Sequence, residues 1–114
     1  MREIDDKTLL QLEEGRLVLI KSPSCYNCRL LFQKYPELQD LDFDVYTFDS
    51  NSSEGVRKFL EENCIFTVPA TILRTSYGLV YIHTSAEVTA LAERIKEAID
   101  VLEKEKEERY RRQL

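Results

Sequence analysis

The sequence predicts an α/β fold with a central mixed sheet of about four strands, flanked by helices and ending in a long amphipathic helix. Residues 17–20, Leu-Val-Leu-Ile, are a continuous apolar run typical of a strand buried on both faces, as in a parallel sheet. Segments with helical periodicity alternate with further strands, which indicates βαβ units. The last two strands, 68–73 and 79–83, are close enough in sequence to form an antiparallel hairpin, so the sheet is mixed.

The first 36 residues contain signals for two helices on either side of strand 17–20. Asp5 or Asp6 can cap the first helix, and Gly15 is expected to end it. The apolar side of this helix consists of Leu9, Leu10 and Leu12. A second helix is expected to begin in the segment 25–28, and Pro36 should end or kink it.

The middle of the chain predicts one more strand and one more helix. Residues 43–48 alternate between apolar and polar types, which favours a strand. The turn cluster at 49–53 can cap a helix at about 54–63. Three residues spaced to share its inward face are Val56, Phe59 and Leu60.

The last part of the chain predicts the hairpin and the final helix. Strand 68–73 begins at a proline, Tyr77-Gly78 is the predicted turn, and Leu79–His83 is the return strand. Thr84 and Glu87 fit a capping box. The apolar stripe of the final helix consists of Val88, Leu91, Ala92, Ile95, Ala98, Ile99 and Leu102. We therefore expect one domain over residues 1–102.

Residues 103–114 are almost wholly charged and continue the final helix without its apolar stripe. We interpret this segment as a helical surface extension. The alternative is a tail that binds a partner.

Composition excludes several classes of function. The chain has 114 residues and a formal charge of −5, which gives no electrostatic footprint for nucleic acid or for an anionic membrane surface. No apolar window is long enough for a transmembrane helix. The acidic start, Met1 to Asp6, lacks a signal-peptide pattern, so we expect a cytoplasmic protein with no membrane or nucleic-acid partner.

Two of the three cysteines, Cys25 and Cys28, are separated by two residues directly after the buried strand. At a helix N-terminus, unpaired backbone N–H groups and the helix dipole favour a thiolate, which predicts that Cys25 is the exposed nucleophile. Cys28, one turn later and facing inward, is close enough to displace whatever is bound to Cys25. The pair therefore predicts a catalytic dithiol.

Together, strand 17–20, the Cys25–Cys28 motif at the following helix, and Val68-Pro69 before a hairpin resemble the thioredoxin-like superfamily, on the thioredoxin and glutaredoxin side. The resemblance covers roughly residues 5–102. It implies a thioredoxin-like fold in which Pro69 is cis and lies beside the cysteine motif. It also implies that Val68 offers its backbone to a substrate chain.

The motif departs from both patterns of the family. Tyr26 and Asn27 replace the usual residues between the two cysteines, and we expect them to contact substrates and to tune the leaving-group pKa and the choice of partner. The alternative is that they are loop residues under no functional constraint. Leu19 stands where thioredoxins keep a buried Asp, so that proton-transfer role is empty. Lys21 stands where thioredoxins carry an aromatic residue; it either favours the Cys25 thiolate by its charge or extends to solvent.

The remaining candidates have structural interpretations. A lone Cys64 is expected to be a small buried hydrophobic residue, with a regulatory or intermolecular thiol as the alternative. His83 is expected to lie on the surface of an edge strand. The aromatic residues expected in the core are Tyr35, Phe43, Phe48, Phe59 and Phe66.

The sequence predicts a thiol-disulfide oxidoreductase that exchanges disulfides with protein substrates through Cys25 and Cys28, in the reducing direction. Its partners are disulfide-containing proteins and an upstream reductase or thiol donor. No metal or other cofactor is implied, because the dithiol is the redox group. The alternatives are a redox-inert binding module of the same fold, and a protein that binds a metal or cluster through the cysteine pair.

Overall fold

The structure, a computed structural model, describes residues 1–83 and 87–113, and only the backbone of residues 79–83. In chain order the elements are β1 (Arg2–Glu3), α1 (Asp6–Leu10), β2 (Leu17–Lys21), α2 (Tyr26–Lys34), β3 (Asp44–Thr47), α3 (Glu54–Glu62), β4 (Ala70–Thr75), β5 (Gly78–His83) and α4 (Val88–Gln113). A short 3-10 helix, Pro36–Asp40, follows α2. The order of helices and strands from α1 onward agrees with the prediction from the sequence.

The strands form one mixed sheet in the order β1-β3-β2-β4-β5. β3 is parallel to both β1 and β2, whereas β4 is antiparallel to β2 and to β5. The predicted four strands are present, and β1 is a fifth that the sequence did not reveal because two residues carry no periodic pattern. Ile20 pairs with Ala70, which brings the start of β4 to the end of β2 that leads into the cysteine motif.

Strand β2 is buried on both faces, as its apolar run predicts. Leu17 and Leu19 belong to an apolar cluster that includes residues of α2 and α4. Val18 and Ile20 belong to a second cluster with residues of α1 and α3. Because successive strand residues point to opposite faces, β2 is the middle layer of a three-layer domain.

The first helix begins as expected and ends early. Asp5 is its N-cap and accepts a hydrogen bond from the Thr8 N–H at 2.9 Å. The prediction that Gly15 ends this helix is wrong, because α1 stops at Leu10. The Gly15 N–H instead donates to the Arg74 carbonyl at 2.8 Å, so Gly15 belongs to the loop that leads into β2. Its φ of +82° suits a glycine there.

The next two helices lie close to their predicted bounds. α2 ends at Lys34, before Pro36, as the proline requires. α3 has Ser53 as its N-cap, with the Val56 N–H donating to Ser53 Oγ at 3.2 Å. Val56 and Leu60 are buried on its inward face, and Phe59 is half-buried.

The hairpin forms as predicted, but the start of its first strand and its turn differ from the prediction by one or two residues. β4 begins at Ala70, after the proline, and Thr75 pairs with Gly78 across a two-residue turn, Ser76-Tyr77. The predicted turn at Tyr77-Gly78 is therefore one residue late. The predicted capping box includes Thr84, which lies outside the described residues, as does the side chain of His83.

Helix α4 extends as one element through the charged segment to Gln113. Its stripe is buried at Val88, Leu91, Ala92, Ile95 and Ile99 and half-buried at Ala98 and Leu102. Beyond residue 102, Arg109 forms an ion pair with Glu14 at 3.2 Å and Lys106 with Asp42 at 3.9 Å. The extension is thus helical, and two of its cations contact the body of the domain.

Candidate functional site

Cys25 and Cys28 lie at the junction between β2 and α2 and form a disulfide, with their Cα atoms 5.3 Å apart. Cys25 is the N-cap of α2, and the Cys28 N–H donates to Cys25 Sγ at 3.3 Å. The Cys25 N–H in turn donates to the Ser22 carbonyl at 3.2 Å. The Cys25 sulfur therefore occupies the position where a helix N-terminus offers its unpaired N–H groups.

Cys25 is more buried than the sequence predicted, whereas Cys28 faces inward as predicted. Cys25 is 7% exposed and Cys28 is 2% exposed. The expectation of an exposed Cys25 is wrong for this disulfide state, because its sulfur accepts the Cys28 N–H at the helix end. Cys25 remains the more accessible of the two, which is the predicted order.

Tyr26 and Asn27, between the two cysteines, form the start of α2. Tyr26 is among the exposed large hydrophobic residues, and Asn27 is half-buried. Their side chains are thus accessible to another molecule, as the substrate-binding prediction for them requires.

Val68-Pro69 is a cis peptide bond, as the family resemblance implied. Pro69 is buried, whereas Val68 is 37% exposed. Because Ile20 pairs with Ala70, this dipeptide lies at the same end of the sheet as the cysteine motif. Within residues 1–83 and 87–113, neither the N–H nor the carbonyl of Val68 has a hydrogen-bond partner. The backbone at Val68 is therefore open to pairing with another chain.

A cleft of about 310 Å³ lies beside this dipeptide and is called here the Val68 cleft. Six of the residues that line it are Ile20, Phe48, Arg57, Leu60, Phe66 and Val68. Phe66 is 74% exposed, so its predicted place in the core is wrong. It lies in the irregular segment between α3 and β4, where no helix or strand directs its side chain inward. No periodic signal in the sequence marks Phe66 or Arg57 as site residues.

Lys21 is the last residue of β2 and is half-buried. By strand alternation its side chain is on the face of Leu17 and Leu19, the face covered by α2. Among the described residues no hydrogen bond joins Lys21 to Cys25, so both predicted roles of Lys21 stay open. Leu19 itself is fully buried in the apolar cluster, so no acid occupies the position where thioredoxins keep one.

Cys64 is exposed, which contradicts its predicted burial. It follows α3 with φ +57°, and the next residue, Ile65, donates its N–H to the Leu60 carbonyl at 2.9 Å. This is the Schellman arrangement that ends many helices, and it directs the residue in the left-handed position toward solvent.

Among residues 1–83 and 87–113, no cluster of three His, Cys, Asp or Glu residues has the geometry to hold a metal ion.

In the same part of the chain, none of the helices combines the length and the apolar character that a membrane crossing needs.

No family model and no curated protein matches this sequence. Among solved structures, the chain is similar to thioredoxin from Aeropyrum pernix, with a TM-score of 0.54 and 16% sequence identity. The match covers 82% of this chain and 83% of that chain. The chain therefore has the thioredoxin fold, with a cysteine pair at the start of α2, and the resemblance seen in the sequence is confirmed at the level of the fold.

Proposed function

We propose that this protein is a thiol-disulfide oxidoreductase that reduces disulfide bonds in protein substrates. The observation that carries the proposal is the Cys25–Cys28 pair at the N-terminus of α2, at the same end of the sheet as the open backbone of Val68. The pair supplies a group that can accept or donate two electrons, and Val68 supplies backbone groups with which a substrate chain can pair.

The proposed reaction begins with the reduced protein. The Cys25 thiolate attacks one sulfur of a substrate disulfide, a Cys25–substrate bond forms, and the second substrate sulfur leaves as a thiolate. Cys28, deprotonated, then attacks Cys25, and the first substrate sulfur leaves. The substrate gains two electrons and becomes a dithiol, while the protein is oxidised to the Cys25–Cys28 disulfide.

The surroundings of Cys25 support its role as the attacking thiol. The helix N-terminus and the Cys28 N–H both favour negative charge on its sulfur. We place the reaction in the cytoplasm and in the reducing direction, so an upstream reductase or small thiol must restore the dithiol. The dithiol is itself the redox group, and the proposal requires no further cofactor.

The test is reduction of insulin disulfides with dithiothreitol as donor, together with the equilibrium between dithiol and disulfide in glutathione buffers. We expect turnover in the parent protein and none in Cys25→Ser. Cys28→Ser should instead accumulate a mixed disulfide at Cys25, which mass spectrometry detects.

The competing function is a redox-inert binding module, which the burial of Cys25 favours. That function predicts a Cys25–Cys28 disulfide that glutathione buffers do not reduce. It also predicts that insulin is reduced no faster with the protein than with dithiothreitol alone. Either result would overturn the proposed oxidoreductase.

A further inference from the structure

We propose that the Val68 cleft selects disulfide substrates that carry a carboxylate close to the target cysteine, and that Arg57 is the residue that recognises it. The inference rests on the proposed function and adds a substrate class to it.

Arg57 is a cationic residue of the Val68 cleft. Its guanidinium lies over the Phe48 ring, 5.1 Å from the ring centroid, and its side chain is half-buried. Across the described residues it forms no ion pair, although Glu61 also lines the cleft one helical turn later. The aromatic contact orients the cation without neutralising it. Arg57 therefore presents an oriented cation with no direct ion pair among the described residues, and the Glu61 carboxylate is its nearest charged neighbour on α3 within the cleft.

Arg57 lines the same cleft as Val68 and Ser22. The Ser22 carbonyl accepts the Cys25 N–H, and the backbone of Val68 has no hydrogen-bond partner among the described residues. A substrate strand that pairs with Val68 would place side chains into the cleft, since successive side chains of a strand alternate between its faces.

The Val68 cleft combines apolar residues with two charged ones. Its apolar residues include Ile20, Phe48, Leu60 and Phe66, and its charged residues are Arg57 and Glu61. A planar guanidinium matches a carboxylate with two parallel hydrogen bonds, and partial burial strengthens that pair. The protein as a whole carries −5, so its long-range field attracts basic segments rather than acidic ones. A preference for acidic substrates would thus have to arise locally, at Arg57.

The test uses short synthetic peptides with blocked termini and one cysteine, oxidised to symmetrical disulfides. One set places a single Glu at each position within three residues of the cysteine, and the matched set has Gln there. The pre-reduced protein is mixed with each peptide, and the second-order rate of its oxidation is measured in a single turnover. No upstream donor is then needed.

We expect the parent protein to reduce the best-placed Glu peptide roughly three- to tenfold faster than its Gln counterpart. Arg57→Gln should bring this ratio to about one, and Arg57→Glu should invert it. Arg57→Lys should keep part of the preference.

Lys58→Gln is the matched control. Lys58 is the neighbouring cation of α3, is exposed and pairs with Glu62 rather than lining the cleft. The Lys58→Gln variant loses the same net charge as Arg57→Gln and should keep the full ratio of Glu-peptide to Gln-peptide rates.

Equal rates for Glu and Gln peptides at every position would overturn the inference and leave the oxidoreductase function intact. An equal loss of preference in Lys58→Gln would also overturn it, because net charge would then be the cause. Failure to reduce any peptide would overturn the proposed function, and this inference with it.

Discussion

The guanidinium of Arg16 forms an ion pair with the carboxylate of Asp44 at the start of β3, where the side chain of Asp44 is fully buried. Arg2 donates to the same carboxylate from the other side, with both nitrogen–oxygen distances at 3.0 Å. Burial raises the pKa of Asp44, but the hydrogen bonds from Arg16 and Arg2 outweigh it and hold the pKa below its ordinary value of 3.8. This cluster lies at the end of the sheet opposite the cysteine pair, so it affects stability and not the proposed chemistry.

We predict that Asp44→Asn lowers the free energy of unfolding by about 3 kcal/mol at pH 7, since it breaks a buried ion pair. The folded pKa of Asp44 is depressed, so its stabilisation is complete above about pH 4 and is lost as the pH falls through that folded value. Urea titrations at several pH values measure the difference in the free energy of unfolding between parent and variant. This difference should become smaller below about pH 4.

Asp42→Asn is the control for this prediction, because Asp42 is exposed and its ion pairs are with Arg16 and Lys106 on the surface. It should cost about 1 kcal/mol or less. A gap for Asp44→Asn that stays constant from pH 7 down to pH 2 would contradict the assigned titration.

Cys64→Gly should stabilise the protein by about 1 kcal/mol, because Cys64 has φ +57° at the end of α3, where glycine pays no steric penalty. Cys64→Ala removes the thiol equally but keeps the β-carbon, so its effect should be within about 0.5 kcal/mol of zero. Thermal or urea unfolding compares the two. A glycine variant no more stable than the alanine variant would mean that the left-handed backbone carries no penalty at this position.

The elements that could be predicted from the sequence are those with long periodic or uniform patterns. β2 and α4 are recognisable because burial on two faces or along one stripe imposes a pattern over many residues. β1 is too short to show any pattern. At Gly15 the local signal is correct, since this glycine has a left-handed backbone conformation, but the element assigned to it is wrong. The hydrogen bond to the Arg74 carbonyl places Gly15 in the loop before β2 and not at the end of α1.

The candidate site was predictable where chemistry fixes sequence spacing, as at Cys25 and Cys28, and where the family resemblance carried Val68 and Pro69. The places of Phe66 and Arg57 in the Val68 cleft were not predictable, because the cleft forms where α3 meets the segment before β4. Cys64 was misjudged for a related reason. A cysteine is usually buried, but a helix-ending backbone conformation directs this one outward.

We predict that iodoacetamide at neutral pH alkylates Cys25 roughly tenfold faster than Cys28 in the reduced protein, because Cys25 is at the helix N-terminus and is the more accessible. Cys64 is exposed and would react independently, so the measurement requires a Cys64→Ser background. Mass mapping of the time course gives the order of labelling. Faster labelling of Cys28 would reverse the assigned roles of nucleophile and resolving cysteine.

The final prediction concerns Lys21, whose side chain lies on the α2 face of the sheet by the alternation that buries Leu17 and Leu19 there. If its ammonium group favours the Cys25 thiolate, Lys21→Met keeps the apolar stem, removes the charge and slows alkylation of Cys25 at pH 7 by roughly two- to fivefold. The ultraviolet absorbance of the thiolate, followed against pH with Cys28 and Cys64 both replaced by Ser, should move to higher pH in this variant. Lys34→Met, at the far end of α2, removes an equal charge and should leave the curve unchanged. Superimposable curves for Lys21→Met and the parent would assign activation of Cys25 to the helix terminus alone and leave Lys21 as a solvated strand end.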